Sequence, residues 1–172
     1  MSDYRRASVP GGTFFFTVAL ADRGRRDLIE HIDLLREAYA DTAGARPFAT
    51  EAIVVLPDHL HAIWRLPEGD SDFSTRWKEI KAGFSKRLGV RRPRSASKQA
   101  KGEVGVWQRR FWEHVIRDRT DMAAHLAYCW GNPVKHGLVA RAVDWEASSI
   151  HRDMRAGRVP PEWAVPDGEF GE

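Results

Sequence analysis

The sequence predicts an α+β chain with the element order β-α-β-β-α-β-α. Short aromatic and β-branched runs bounded by glycine or proline mark four strands. Apolar residues recurring at helical spacing mark three helices. A Pro57-Asp58 turn joins the second strand directly to the third, as a hairpin. The 172 residues suffice for one domain with a real core.

The elements follow in order. Gly11-Gly12 opens a first strand, Thr13 to Leu20. From Arg26 to about Ala40 the residues Leu28, Ile29, Ile32, Leu35 and Tyr39 recur as one face of a helix. Asp22 or Asp27 would cap it, and Gly44 and Pro47 end it. Phe48–Leu56 and His59–Leu66 read as the hairpin strands. Phe73 to Leu88 reads as a second helix, with Phe73, Trp77, Ile80 and Phe84 on one face and Ser71 or Asp72 as cap. Residues 89–104 hold almost nothing to bury, so they are expected to be a loop that moves in the absence of nucleic acid. Val106 to Arg117 reads as the fourth strand. Thr120 or Asp121 caps a third helix, and Pro133 ends or kinks it. The expected organisation is a domain over residues 1–143, then a tail over 144–172 with a short helix around Ser149–Arg155 and an acidic Pro/Gly-rich end.

A hairpin between two helical crossovers is the ferredoxin-like layout: an antiparallel four-stranded sheet with helices packed on one face. The other face would be free to carry a site.

Composition narrows the chemistry. The single cysteine, Cys129, rules out an internal disulfide or a thiolate zinc cluster. Any metal must be held by His, Asn, Asp or Glu, which suits zinc, manganese or magnesium. The sequence holds no apolar run of membrane-spanning length and no signal-peptide pattern, so a cytoplasmic protein is expected. Between Lys78 and Arg110 eleven bases face two acids, Glu79 and Glu103. That excess suits a phosphate backbone, although a solvated basic loop has the same composition.

Three constellations bear on function. His59-Leu60-His61 places two imidazoles on one face of a strand, roughly 7 Å apart along the backbone, where they can share a metal ion. Two histidines on a half-exposed strand give the same pattern. Tyr128 and Asn132 lie four apart and so share a helix face. A phenol with a pKa of about 10 is a poor nucleophile unless its target phosphate is polarised. The bland alternative is a packing tyrosine and a helix-ending Asn-Pro. Trp107-Gln108-Arg109-Arg110-Phe111-Trp112 interleaves aromatics with arginines, which suits single-stranded nucleic acid but also an amphipathic strand.

Longer blocks add to these motifs. Val54-Val55-Leu56-Pro57-Asp58-His59-Leu60-His61, Phe73-Ser74-Thr75-Arg76-Trp77 with Ile80-Lys81, Trp107 to His114, and Asn132-Pro133-Val134-Lys135-His136-Gly137-Leu138-Val139 occur in that order over roughly Gly11 to Arg155. In these blocks the chain resembles the HUH single-tyrosine transposases of the IS200 type, and more narrowly the REP-associated tyrosine transposases. The resemblance implies a ferredoxin-like fold with the site on the open sheet face. It implies His59, His61 and Asn132 as ligands of a divalent metal, Mg2+ or Mn2+, and Tyr128 as nucleophile. It implies single-stranded or hairpin DNA, of the repetitive extragenic palindrome kind, as partner, and a monomer or weak dimer. Lys81, Lys86, Arg87, Arg91, Arg92, Arg109 and Arg110 are the expected DNA contacts. The chain departs from the family at Cys129-Trp130-Gly131, where Ile-His-Tyr is common, and a helical glycine costs about 1 kcal/mol relative to alanine. Two rival functions are a retired transposase that only holds hairpins, and a metal hydrolase that uses water as nucleophile.

Overall fold

A computed structural model describes residues 6–100 and 105–166. Lys101 and Glu103 of the basic stretch, and the acidic end from residue 167, lie outside the described residues, as does the side chain of Lys98. The strands are β1 (Thr13–Ala19), β2 (Ala49–Val55), β3 (His59–Arg65) and β4 (Trp112–Val115). They form one antiparallel sheet in the order β2-β3-β1-β4. This is the ferredoxin-like arrangement expected from the element order. The helices are α1 (Asp27–Glu30), α2 (Ile32–Ala45), α3 (Phe73–Leu88), α4 (Ala96–Ala100), α5 (Arg119–Lys135) and α6 (Ile150–Arg155).

Strand alternation divides the apolar residues into two cores. Phe14, Phe16, Val18, Leu60, Ala62 and Trp64 face α2 and α3, where Trp64 stacks on Trp77 with ring centroids 4.1 Å apart. Phe15, Ala52, Val54 and Ile63 face the other way, towards Cys129 and Trp130 of α5, Ile150 of α6 and Val159. The second sheet face is therefore not left open. α5 and the segment after it cover much of it, and the site sits where α5 crosses β3.

Several elements differ from the sequence reading. The first helix breaks at His31, and neither expected cap is used. Asp22 accepts the Gly24 N–H, while the Asp27 carboxylate takes Arg25 and Arg92. Asp72 does cap α3, by accepting the Thr75 N–H. Residues within 89–104 are partly ordered by α4 and by the Arg92–Asp27 ion pair, 2.8 Å long. The fourth strand is shorter than read. Trp107 bridges to Leu20 and sinks into the first core, and the chain then leaves the sheet until Trp112. Asp118, not Thr120 or Asp121, caps α5, and the helix runs through Pro133 to Lys135. No helix among the described residues is long and apolar enough to cross a membrane.

Candidate metal and nucleophile site

β3 carries His59 and His61 on the face turned towards α5, with ring centroids 5.0 Å apart. Both are nearly fully buried. Each has its Nδ1 engaged from behind. His61 Nδ1 lies 2.9 Å from the Thr17 hydroxyl, on the neighbouring strand in register. His59 Nδ1 lies 2.7 Å from Asp58 Oδ1, and Arg23 Nε donates to the other oxygen of that carboxylate while its Nη2 lies against the ring. With Nδ1 protonated, each ring donates backwards and turns the lone pair of Nε2 into the site, as metal-bound histidines do. Burial pushes the His61 pKa down to about 3, aided by the neighbouring His59, and burial also lowers that of His59. Both rings are then neutral at neutral pH. Asp58 is desolvated, but hydrogen bonds from Arg23 and His59 outweigh this and hold its carboxyl below the usual range.

α5 brings up the other half. Tyr128 stands edge-on to His61 at 5.1 Å between centroids, and the Lys135 ammonium lies 4.9 Å from the tyrosine ring. One turn on, Asn132 is 1% exposed and lies beside His61. Its side-chain oxygen and nitrogen and His61 Nε2 are buried with no hydrogen-bond partner. Leaving such groups unpaired costs on the order of 1–3 kcal/mol each, so a structure retains them where something else satisfies them. Two imidazole nitrogens and an amide oxygen fit a divalent cation.

Among the described residues, two groups of His, Asp and Glu lie at metal-ligand spacing: His114, Asp121 and His125, and Asp27, Glu30 and His31. Their chemistry differs. Asp121 accepts from His114 Nε2 at 2.9 Å and from the Arg117 N–H and Nε, and pairs with His125 Nδ1 at 3.1 Å. Asp27 is taken by Arg25 and Arg92. Unlike the atoms around His61, these carboxylates are already satisfied.

The expected DNA contacts divide. Lys81, Lys86 and Arg109 line a groove of about 710 Å3 between α3 and residues 105–111, with Trp107 and Phe111 in its wall. Arg87 is turned to Glu37 and Asp41 of α2, and Arg92 to Asp27. Arg91 and Arg110 are exposed outside the groove. The sequence reading did not pick out Arg23, Asp58, Thr17, Lys135 or His136, whose ring is 5.1 Å from that of His59. Of these Asp58, in the turn beside His59, and Lys135 and His136, in the block that opens with Asn132, had a local signal, while Thr17 and Arg23 had none.

Comparison with known proteins decides the family. The chain is 45% identical over 174 residues to the REP-associated tyrosine transposase of Escherichia coli K12, covering all of this chain and 98% of that protein. The chain belongs to the REP-associated tyrosine transposases. A relative from Haemophilus influenzae is also 45% identical, over 95% of this chain and 93% of its own. A solved structure of a REP-associated tyrosine transposase bound to a REP hairpin superposes with a TM-score of 0.87, at 45% identity, over all of this chain and 98% of that one. A scan against family models finds no match. The chain is thus a transposase-type enzyme that nicks and joins DNA, and membership suggests a metal requirement.

Within a REP-associated tyrosine transposase, the departure at Cys129-Trp130-Gly131 has a structural reason. Cys129 packs fully buried on the sheet, and Trp130 Nε1 donates to the Ser149 hydroxyl at 3.1 Å. A methyl on Gly131 would meet the two Val165 methyls at 3.1 and 3.2 Å. Trp130 and Gly131 form the seat of the C-terminal segment, and α5 continues unbroken through all three residues.

Proposed function

We propose that the chain cuts and rejoins single-stranded DNA beside palindromic hairpins, with Tyr128 as nucleophile and His59, His61 and Asn132 as ligands of Mg2+ or Mn2+. The observation that carries this is the meeting of Tyr128 with the orphaned His61 Nε2 and Asn132 amide under one turn of α5. The family and its hairpin-bound solved member support hairpin DNA as the partner.

The Tyr128 oxygen attacks the scissile phosphorus, forming the O–P bond of a 5′-phosphotyrosine as the bond to the 3′ oxygen breaks. The tyrosine proton passes to solvent, and the departing oxygen leaves as a 3′-hydroxyl. A 3′-hydroxyl attacking the adduct reverses these changes and rejoins the strand, so no nucleotide cofactor is needed. A divalent ion, when bound, supplies positive charge to the phosphate oxygens and makes phosphorus more electrophilic. Thr17 and Asp58 fix the two imidazoles, and the Lys135 ammonium adds charge on the tyrosine side. Lys86 and Arg109 hold the phosphate backbone in the groove, Lys81 lines it while donating to the Gln108 carbonyl, and Arg91 and Arg110 stand on its approaches. Arg87 and Arg92 serve the fold through their ion pairs.

The test is a denaturing gel of protein incubated with a flanked single-stranded REP-type hairpin and Mn2+ or Mg2+. Wild type should yield a protease-sensitive covalent adduct that chelator abolishes. Tyr128→Phe should bind the hairpin without forming it, and His61→Ala or Asn132→Ala should cut adduct formation at least 100-fold. Binding without adduct in wild type under either metal would favour the architectural binder. Cleavage that survives Tyr128→Phe would favour hydrolysis by water.

A further inference from the structure

We propose that Trp112 is a stacking platform for an unpaired base flanking the phosphate that Tyr128 attacks. The inference rests on the nuclease reading above and assigns a binding subsite to it.

Trp112 opens β4, and the register places it opposite Thr17, which lies opposite His61. Alternation then puts Trp112 and His114 on the sheet face that carries the site, and Glu113 on the other, where it pairs with Arg6. Trp112 is 53% exposed, whereas every other Phe, Trp and Tyr among the described residues is buried or half-buried. Burying a large side chain stabilises a fold, and here about half of that gain is forgone. The ring is nonetheless held. It lies parallel to His114, at 10° and 5.9 Å, and His114 lies parallel to His125, at 14° and 4.5 Å. Asp121 ties both histidines together at the start of α5. The Phe15 ring touches Trp112 on one side, at 5.8 Å, and Tyr128 on the other, at 5.7 Å. A flat, braced ring therefore stands one phenyl group from the proposed nucleophile.

The partner follows from this form. One projecting indole is too small an apolar patch for a protein interface. It matches the π-face of a single base, which stacks on aromatic rings regardless of sequence. Exposed Arg110 stands two residues before it, and Arg117, its side chain 72% exposed although its Nε pairs with Asp121, stands five residues after, so the strand carrying Trp112 is flanked in sequence by bases that suit phosphates. The His114–Asp121–His125 group, satisfied without a metal, serves here as the brace of the stack.

The experiment uses full-length Tyr128→Phe protein and REP-type hairpins carrying single 2-aminopurines at successive unpaired flank positions. With Trp112 present, fluorescence should be quenched on binding at one flank position next to the cut. Trp112→Ala should abolish that quenching and weaken binding of the flanked hairpin about 5- to 100-fold, while a hairpin without flanks binds as before. Trp112→Phe should retain most of both. With Tyr128 restored, Trp112→Ala should raise KM far more than it lowers kcat. Equal loss on flanked and unflanked hairpins, or no quenching on a hairpin that binds, overturns the platform and leaves the nuclease reading intact. Quenching in the variant, where the protein with Tyr128 restored forms no adduct under either metal, supports the platform and removes the nuclease reading.

Discussion

Asp121 shows how much one side chain can organise. Its carboxylate is desolvated, but the Arg117 N–H, the His114 ring and the Arg117 guanidinium outweigh that and hold its pKa well below the usual aspartate range. A carboxyl with a depressed folded pKa contributes stability in full above its unfolded pKa of about 3.9 and loses it as pH falls towards the folded value. Asp121→Asn should therefore lower the urea midpoint at pH 7 and flatten the fall of stability below about pH 4, which chemical denaturation across pH would measure. None of this was legible in the sequence, where Asp121 read only as a helix cap. His59 and His61 were legible as a pair because strand alternation is a local rule. Their supports were not: Thr17 lies 44 positions from His61, and Arg23 lies 36 from His59. Only the register of β1 on β3 and the turn beside it bring them together.

At the scale of elements, α3 was legible end to end, since its apolar face and its Asp72 cap are both local. β4 was not. Trp107, Phe111 and Trp112 share a composition but have different surroundings: Trp107 packs on Phe84 in the first core, Phe111 lies under the Arg6 guanidinium, and Trp112 is exposed. Aromatic density read as one long strand, and Gln108–Arg110 interrupts it. α5 runs two residues past Pro133 for a related reason. Proline removes one helical hydrogen bond, but burial of Asn132 and Pro133 against the sheet holds the last turn in place. The Gly131–Val165 contact gives a direct test of how α5 holds the C-terminal segment. Gly131→Leu should overpack that contact, destabilise the protein by about 1–3 kcal/mol, and make the segment around Val165 the first site of limited proteolysis.

For the whole molecule, the sheet separates two jobs. The face towards α3 carries the larger core and, at its rim, the basic groove, while the other carries the proposed chemistry. The local excess of positive charge was legible in the sequence, but not how it is shared between groove and internal ion pairs. Replacing both Lys86 and Arg109 by Gln should weaken hairpin binding evenly across sequences and reduce the slope of log K against log salt by about 1–2. Titrations from low to moderate salt would show it.

The segment after α5 also has a consequence for how copies of the chain behave together. Along the outer side of β2, Ile53 exchanges hydrogen bonds with Ser149, the Val55 N–H bonds the Ala147 carbonyl, Trp145 Nε1 bonds the Val55 carbonyl, and Arg152 takes the carbonyls of Thr50 and Glu51. At the opposite edge β4 is only four residues long. An edge strand with its amides and carbonyls already spoken for offers no template on which another chain can extend the sheet. What reads in the sequence as a trailing tail is thus also a guard against aggregation.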